Sequence, residues 1–187
     1  MDDAIAYRRK DVSVSDLNGK TIAIIATNGF EDSELTSPKE AVESADAATK
    51  VVSTETGEIE GKKGAKVSVD ETTADASVDE FDALILPGGT TNADTIRTDK
   101  DAVALVKAFK DAGKPIGVIC HGGWILTEAD LVKGVKLTSV ANVKTDLVNA
   151  GANWVDEEVV VDSGFISSRT PDDLPAFNAK IVEEFAK

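Results

Sequence analysis

The chain holds one cysteine and one histidine, and they are neighbours: Cys120 and His121, within PIGVICHGGWIL. A thiolate is a strong nucleophile near neutral pH, and an imidazole is the usual base that generates it. PIGVI has the unbroken apolar character of a buried strand, and the residues after Cys120 open a helix. Gly122 and Gly123 allow a sharp turn between the two. Free N–H groups and the positive end of a helix dipole would favour the thiolate there. The spacing therefore predicts a Cys120 pKa below the ~8.5 of a free thiol. The bland alternatives stay open: a structural cysteine buried in the core, and a histidine satisfied at the surface.

Other segments offer groups that could serve such a thiol. Glu31 and Glu34, in GFEDSEL, flank the entry to the first predicted helix. A carboxyl beside a cysteine can share its proton, orient it or hold a water. Acids at a helix start also occur simply because they complement the dipole. Gly88 and Gly89, in PGGTTNAD, offer backbone N–H groups able to hold an oxyanion, although Pro-Gly-Gly is also an ordinary turn. Asp94 is placed to orient His121 as the third member of a triad, or merely to decorate a loop. The strand-to-helix turn at Cys120 has the form of a nucleophile elbow, with Val118 where the hydrolase motif carries glycine.

The elements that must position these residues alternate short apolar runs with helical segments, the pattern of a parallel sheet covered on both faces. Strands are predicted over 21–26, 49–53, 81–86, 115–119 and 135–138, with late strands in NWV, EVVVD and FISS and edge pieces such as 66–69. Ser37, Pro38 and Glu40 predict a helix starting after Ser37, by capping box and proline at the first position. A helix is predicted over 99–112, capped by Thr98, with Ala102, Val103, Leu105, Val106 and Phe109 inward. Another covers 142–151, and the last opens at Thr170-Pro171. Residues 1–19 form an N-terminal extension, and residues 20–187 form one domain. In an open parallel sheet, ligands bind beyond the C-terminal strand ends, where NGFEDSEL, PGGTTNAD and CHGG all fall.

Composition narrows the function classes. Lys and Arg number 20 against 34 Asp and Glu, a net charge of −14. Such a surface repels phosphate backbones and anionic membranes, so neither nucleic acid nor membrane is expected as a partner. No stretch approaches the ~20 apolar residues of a membrane span. The opening MDDAIAYRRKDVSV lacks the apolar region of a signal peptide, so a cytoplasmic location is expected. One cysteine rules out an internal disulfide, and with one histidine a resident transition metal is not expected. No cofactor is expected either.

NGFEDSEL, FDALILPGGTTNADTIR, GKPIGVICHGGWIL, NAGANWVDEEVVVD and SSRTPDDLPAFN together resemble the PfpI-type intracellular protease and general stress protein family. That family belongs to the superfamily of the parkinsonism-associated protein deglycase and shares its fold with class I glutamine amidotransferase domains. The resemblance implies a flavodoxin-like three-layer α/β sandwich, its mostly parallel sheet carrying helices on both faces. It implies Cys120 as nucleophile, His121 as the adjacent base and Glu34 hydrogen-bonded to the sulfur, with Glu31 close by. Asp94 would complete the triad, and Gly89 with the His121 N–H would form the oxyanion site. A homodimer or higher homo-oligomer is implied. Gly123 and Val140 depart from the family pattern, which often has proline at the first and an aromatic or His at the second.

The implied function is cysteine-dependent hydrolysis at a carbonyl, of the peptidase or glyoxalase/deglycase kind, on a small carbonyl or peptide substrate. The alternative is a redox-sensing or chaperone-like stress protein acting through oxidation of Cys120. Glutamine hydrolysis is disfavoured, because amidotransferase domains draw their His from a late loop and this chain has none there.

Overall fold

A computed structural model describes residues 15–187, so most of the extension expected over residues 1–19 lies outside the described residues. The apolar runs form strands as expected. β1 (Thr21–Ile25) leads into α1 (Asp32–Ser44) and β2 (Ala48–Ser53). A hairpin of β3 (Gly57–Glu60) and β4 (Lys66–Val69) follows, then the two-residue β5 (Glu71–Thr72). β6 (Ala83–Leu86) passes into α2 (Thr90–Ile96) and α3 (Lys100–Asp111). β7 (Ile116–Ile119) ends in a 3-10 turn, Cys120–Gly122, which continues as α4 (Gly123–Glu128). Next come β8 (Lys136–Leu137), α5 (Lys144–Asn149) and β9 (Asn153–Trp154). The chain closes with β10 (Val160–Asp162), β11 (Phe165–Ser168) and α6 (Leu174–Phe185).

Seven strands make the central sheet in the order β10-β11-β7-β6-β1-β2-β5. Every pairing is parallel except β10 with β11, which are joined by the tight turn Ser163-Gly164. The core of that order, β2-β1-β6-β7-β11, is the flavodoxin-like doubly wound arrangement. Side chains alternate across it as strand geometry requires. Ala23, Ile25, Leu84 and Leu86 pack with Leu105, Val106 and Phe109 of α3 and with Ile125 and Leu126 of α4. Ile22, Ile24, Ala83 and Ile85 face Leu35 and Val42 of α1 and Phe177, Ile181 and Phe185 of α6. Each such buried Val, Leu, Ile or Phe side chain contributes about 1.5–3 kcal/mol, so the two apolar layers hold the strand ends in place. Gly117 lets α6 close on the sheet, because a Cβ there would lie 2.9 Å from Ile181 Cγ2.

Three boundaries differ from expectation, each for a physical reason. α1 begins at Asp32, not after Ser37, and carries Pro38 inside it. The acids Asp32 and Glu34 fill its first turn, where the dipole favours them, and Ser37 instead accepts a hydrogen bond from Asn178 Nδ2 at 2.8 Å. The segment after Gly89, expected as loop, is α2. α3 is capped by Asp99, whose carboxylate accepts the Ala102 N–H at 2.7 Å, and not by Thr98.

Gly123 has φ −61°, open to any residue, and a Cβ added there would lie 3.6 Å from Leu147, an ordinary packing distance. Gly123→Ala should therefore stabilise the fold by about 0.4–1 kcal/mol through lost unfolded-state freedom. Thermal denaturation should show a rise of roughly 1–4 °C. A lower melting temperature would mean that the turn needs glycine there.

Candidate active site

The chain leaves β1 toward β2 on one side of the sheet and later returns to place β6 on the other side. Such a reversal opens a crevice at the C-terminal strand ends, and β7 ends beside it. The turn after β6 organises this crevice. The Gly88 N–H donates to Glu34 Oε2 at 2.8 Å. The Gly88 carbonyl accepts from the Glu31 N–H at 3.2 Å and from Asn92 Nδ2 at 3.0 Å. Asn92 Oδ1 in turn accepts the Thr27 N–H at 2.7 Å, tying the end of β1 to the same turn. No side chain fits at position 88: a Cβ would come 2.8 Å from Cys120 Cβ and would strike the Glu34 carboxyl.

Cys120 has φ +60°, a left-handed conformation that a non-glycine residue adopts at a cost of order 1–3 kcal/mol. Gly122 permits the turn, since a Cβ there would sit 2.7 Å from the Leu86 carbonyl oxygen. The sulfur is half-buried, with His121 Nδ1 at 3.3 Å. The other ring nitrogen, Nε2, lies 3.3 Å from Thr90 Oγ1. For Nδ1 to accept the thiol proton, Nε2 must carry the ring hydrogen and donate it to Thr90. The edge of Trp124 supports the ring at 5.3 Å between centroids. Trp124 is itself fixed by Asp146 Oδ2, 2.8 Å from its indole nitrogen, and by Arg97 over its ring.

Burial dominates the electrostatics. It pushes the Glu34 carboxyl up to about 7, against the stabilising Gly88 N–H and the Cys120 hydrogen bond. Burial, followed by the Glu34 charge, pushes the Cys120 thiol up to about 12, although the His121 backbone N–H works the other way. The expected lowering of the thiol is thus reversed: a 3-10 turn and a six-residue helix cannot outweigh desolvation beside an acid. Cys120 and Glu34 titrate as a pair that keeps one proton between its two steps. His121 is lowered, by burial first and then by the Lys62 charge, which keeps the imidazole neutral and able to accept a proton.

Cys120, His121 and Glu34 are therefore brought together as expected. Glu31 is adjacent but otherwise engaged, its carboxylate ion-paired with Lys62 and, at 2.9 Å, with Lys63. Burial would raise its pKa, but the two lysines prevail and hold it below the usual carboxylate range. Gly89, at φ +91°, turns its Cα face toward the backbone of Gly29, Phe30 and Glu31. Asp94 is exposed one turn beyond Thr90 and makes no hydrogen bond to His121 among the described residues. Thr90 meets the ring nitrogen that Asp94 was expected to meet. Sequence reasoning also missed Asn92, Lys62, Lys63 and Trp124. No spacing in the sequence signals them, because each meets the site through a contact that only the fold makes.

The raised Glu34 carboxyl makes a signed prediction. A carboxyl whose folded pKa exceeds its ordinary 4.5 stabilises the protein fully below that value, and this contribution is lost as pH rises through about 7. The melting temperature of wild type relative to Glu34→Gln should therefore fall between pH 5 and pH 8. A difference independent of pH would overturn the assignment.

The comparisons with known proteins bear on the family and the fold. Residues 20–184 match the DJ-1/PfpI family. A Bacillus subtilis protein named "Putative cysteine protease YraA" is 44% identical over 160 residues, covering 85% of this chain and 94% of that one. DJ-1beta of Drosophila melanogaster superposes with a TM-score of 0.84 at 27% identity, covering 89% of this chain and 90% of that one. A two-domain Anabaena variabilis protein with DJ-1/ThiJ/PfpI-like and ferritin-like domains superposes with a TM-score of 0.85 at 34% identity. That match covers 88% of this chain but 49% of the Anabaena chain, so this chain spans about half its length. With its family match, its sheet order and its cysteine at the turn after β7, the chain belongs to the DJ-1/PfpI family.

Proposed function

We propose that this protein is a cysteine hydrolase in which Cys120 attacks a carbonyl carbon, of a small carbonyl compound in preference to a peptide. The observation that supports it best is the left-handed Cys120 held 3.3 Å from a neutral imidazole and beside a buried carboxyl. The high pKa of the thiol means that activation comes from a base during attack, not from a resting thiolate. As the C–S bond forms, the sulfur proton passes to His121 Nδ1, and the carbonyl π electrons become an alkoxide. The His121 and Gly89 N–H groups receive that oxyanion. The alkoxide takes the proton back from His121 and gives a hemithioacetal. For a 2-oxoaldehyde such as methylglyoxal, the neutral imidazole then moves the C1 proton to C2, which oxidises C1 to the thioester and reduces the C2 ketone to an alcohol. Water hydrolyses the thioester to the 2-hydroxy acid and the free thiol. Glu34, hydrogen-bonded to the sulfur, keeps it oriented.

A small substrate suits the setting, because the sulfur is half-buried beside His121. A hollow of 440 Å³ lies elsewhere, between α1 and the β3–β4 hairpin, and is lined by Leu35, Lys39, Glu43, Val51 and Val67. The same reading takes the protein as a cytoplasmic homodimer or higher oligomer, with exposed Asp94 acting across a subunit contact. Among the described residues no helix is long and apolar enough to cross a membrane. Redox sensing is the weaker reading, since a thiol raised to about 12 presents little thiolate to peroxide.

The test is consumption of methylglyoxal, and of a fluorogenic peptide, by wild type and Cys120→Ala. The expected result is turnover of the small carbonyl by wild type and at least a hundredfold loss in Cys120→Ala, of the order expected for removing a covalent nucleophile. Turnover that survives the substitution would overturn the mechanism.

A further inference from the structure

The β3–β4 hairpin has no part in the sheet-building logic of the fold, yet its turn is fastened to the loop that carries the acids. The Glu60 N–H donates to Asn28 Oδ1 at 2.8 Å, and the Glu60 carbonyl accepts the Gly29 N–H at 2.8 Å. The Lys62 N–H donates to the Phe30 carbonyl at 2.9 Å. The Asp32 carboxylate then accepts the Lys63 N–H at 2.9 Å and the Ala65 N–H at 2.7 Å. Gly61 lies flat against that carboxylate, since a Cβ there would sit 2.7 Å from Asp32 Cγ and both oxygens. Five hydrogen bonds thus dock the end of β3 and the five-residue turn 61–65 onto residues 28–32, and the side chains at its tip are two lysines.

Both ammonium groups converge on Glu31, a carboxylate only 4% exposed. Their reach differs. Lys62 also acts by charge on Glu34, on Cys120 and on His121, whereas Lys63 is confined to the Glu31 and Asp32 carboxylates. The groups that act on the sulfur are then Glu34 from α1, His121 from its own turn and Lys62 from the hairpin, with Glu31 behind them as the ion-pair partner of Lys62. Lys62 is the cation among them.

We propose that the hairpin is a strap that carries Lys62 over the Glu31–Glu34–Cys120 cluster, and that Lys62 is a positioning residue for the nucleophile. It holds Glu31 ionised and in place, and its remaining field offsets the negative charge that develops on sulfur and oxyanion beside Glu34. This rests on the reading of Cys120 as nucleophile. The docking bonds are made by backbone N–H groups, so the strap stays seated when the Lys62 side chain is changed.

The single histidine makes the test clean, because proton NMR then follows one imidazole titration. The experiment measures that titration, and the iodoacetamide alkylation rate of Cys120 against pH, in wild type, Lys62→Met, Lys62→Arg and Lys63→Met. Lys62→Met should move the His121 midpoint upward and slow alkylation at neutral pH roughly threefold, the size expected for a partly screened charge several ångströms away. Lys62→Arg should restore both, and Lys63→Met should leave both near wild type. An unmoved His121 titration in Lys62→Met, with wild-type alkylation normal, would overturn the strap alone. A wild-type Cys120 inert to alkylation at every pH would instead overturn the nucleophile reading on which it rests.

Discussion

The hydrogen bond from the Gly88 N–H to the Glu34 carboxyl is the constraint on which the site depends. It joins the turn after β6 to the first turn of α1, two elements on opposite sides of the topological reversal. A carboxyl buried as fully as Glu34 costs several kcal/mol unless it is hydrogen-bonded or neutral. The Gly88 N–H satisfies one oxygen, while the other, Oε1, has no hydrogen-bond partner by ordinary geometry. An oxygen in that position is best served by a proton, which is why the carboxyl titrates near neutrality and not near 4.5. The glycine is required by the same bond, because any side chain at 88 would displace the acid or the cysteine.

From this follows the division of labour between the two acids after β1. Glu31, just before α1, and Glu34, in its first turn, are three residues apart, yet one is held ionised and the other is held close to neutral. Lysines of the β3–β4 hairpin ion-pair with the first, whereas the second is hydrogen-bonded by a backbone N–H and a thiol and feels Lys62 through charge alone. Two neighbouring carboxyls pushed in opposite directions by their surroundings form the arrangement in which one acts as a fixed charge and the other as a proton carrier. Cys120 inherits the consequence. Its thiol cannot ionise ahead of Glu34, and proton transfer must accompany attack.

Much of this was legible in the sequence, and the part that was not has identifiable causes. The parallel strands stand out as unbroken apolar runs, and the Cys-His-Gly-Gly and Pro-Gly-Gly turns announce themselves by composition. Glu34 is visible as an acid but not as a buried one, because Ser37-Pro38 mimics a helix start and draws the helix away from it. With α1 begun at Ser37, Glu34 would sit in a solvated loop and its pKa would be ordinary. α2 escaped notice because TTNADTI is polar and short, and Thr90 with it. The sign of the Cys120 shift was lost for a different reason. Local dipole arguments count what the turn contributes, while desolvation depends on Leu86, Gly88 and Glu34, which the fold brings from over thirty positions away. Lys62 was invisible for the same reason, since nothing in GKKGAK says which carboxylate it will meet.

The strain at Cys120 completes the argument. A left-handed φ at a non-glycine residue persists only where the surroundings over-determine it. Here β7 is locked between β6 and β11, Gly122 is pressed against the Leu86 carbonyl, and α4 must start at once to bury Ile125 and Leu126. The backbone has no extended alternative that keeps both the strand register and the helix. The side chain of residue 120 is therefore turned out of the β7 pleat to the edge of the apolar layer under α1 and α6, beside Glu34 and His121. A small, polarisable residue tolerates that position. Had residue 120 been merely a core cysteine, a relaxed strand conformation would have placed it in the sheet, where no strain and no buried acid would be needed.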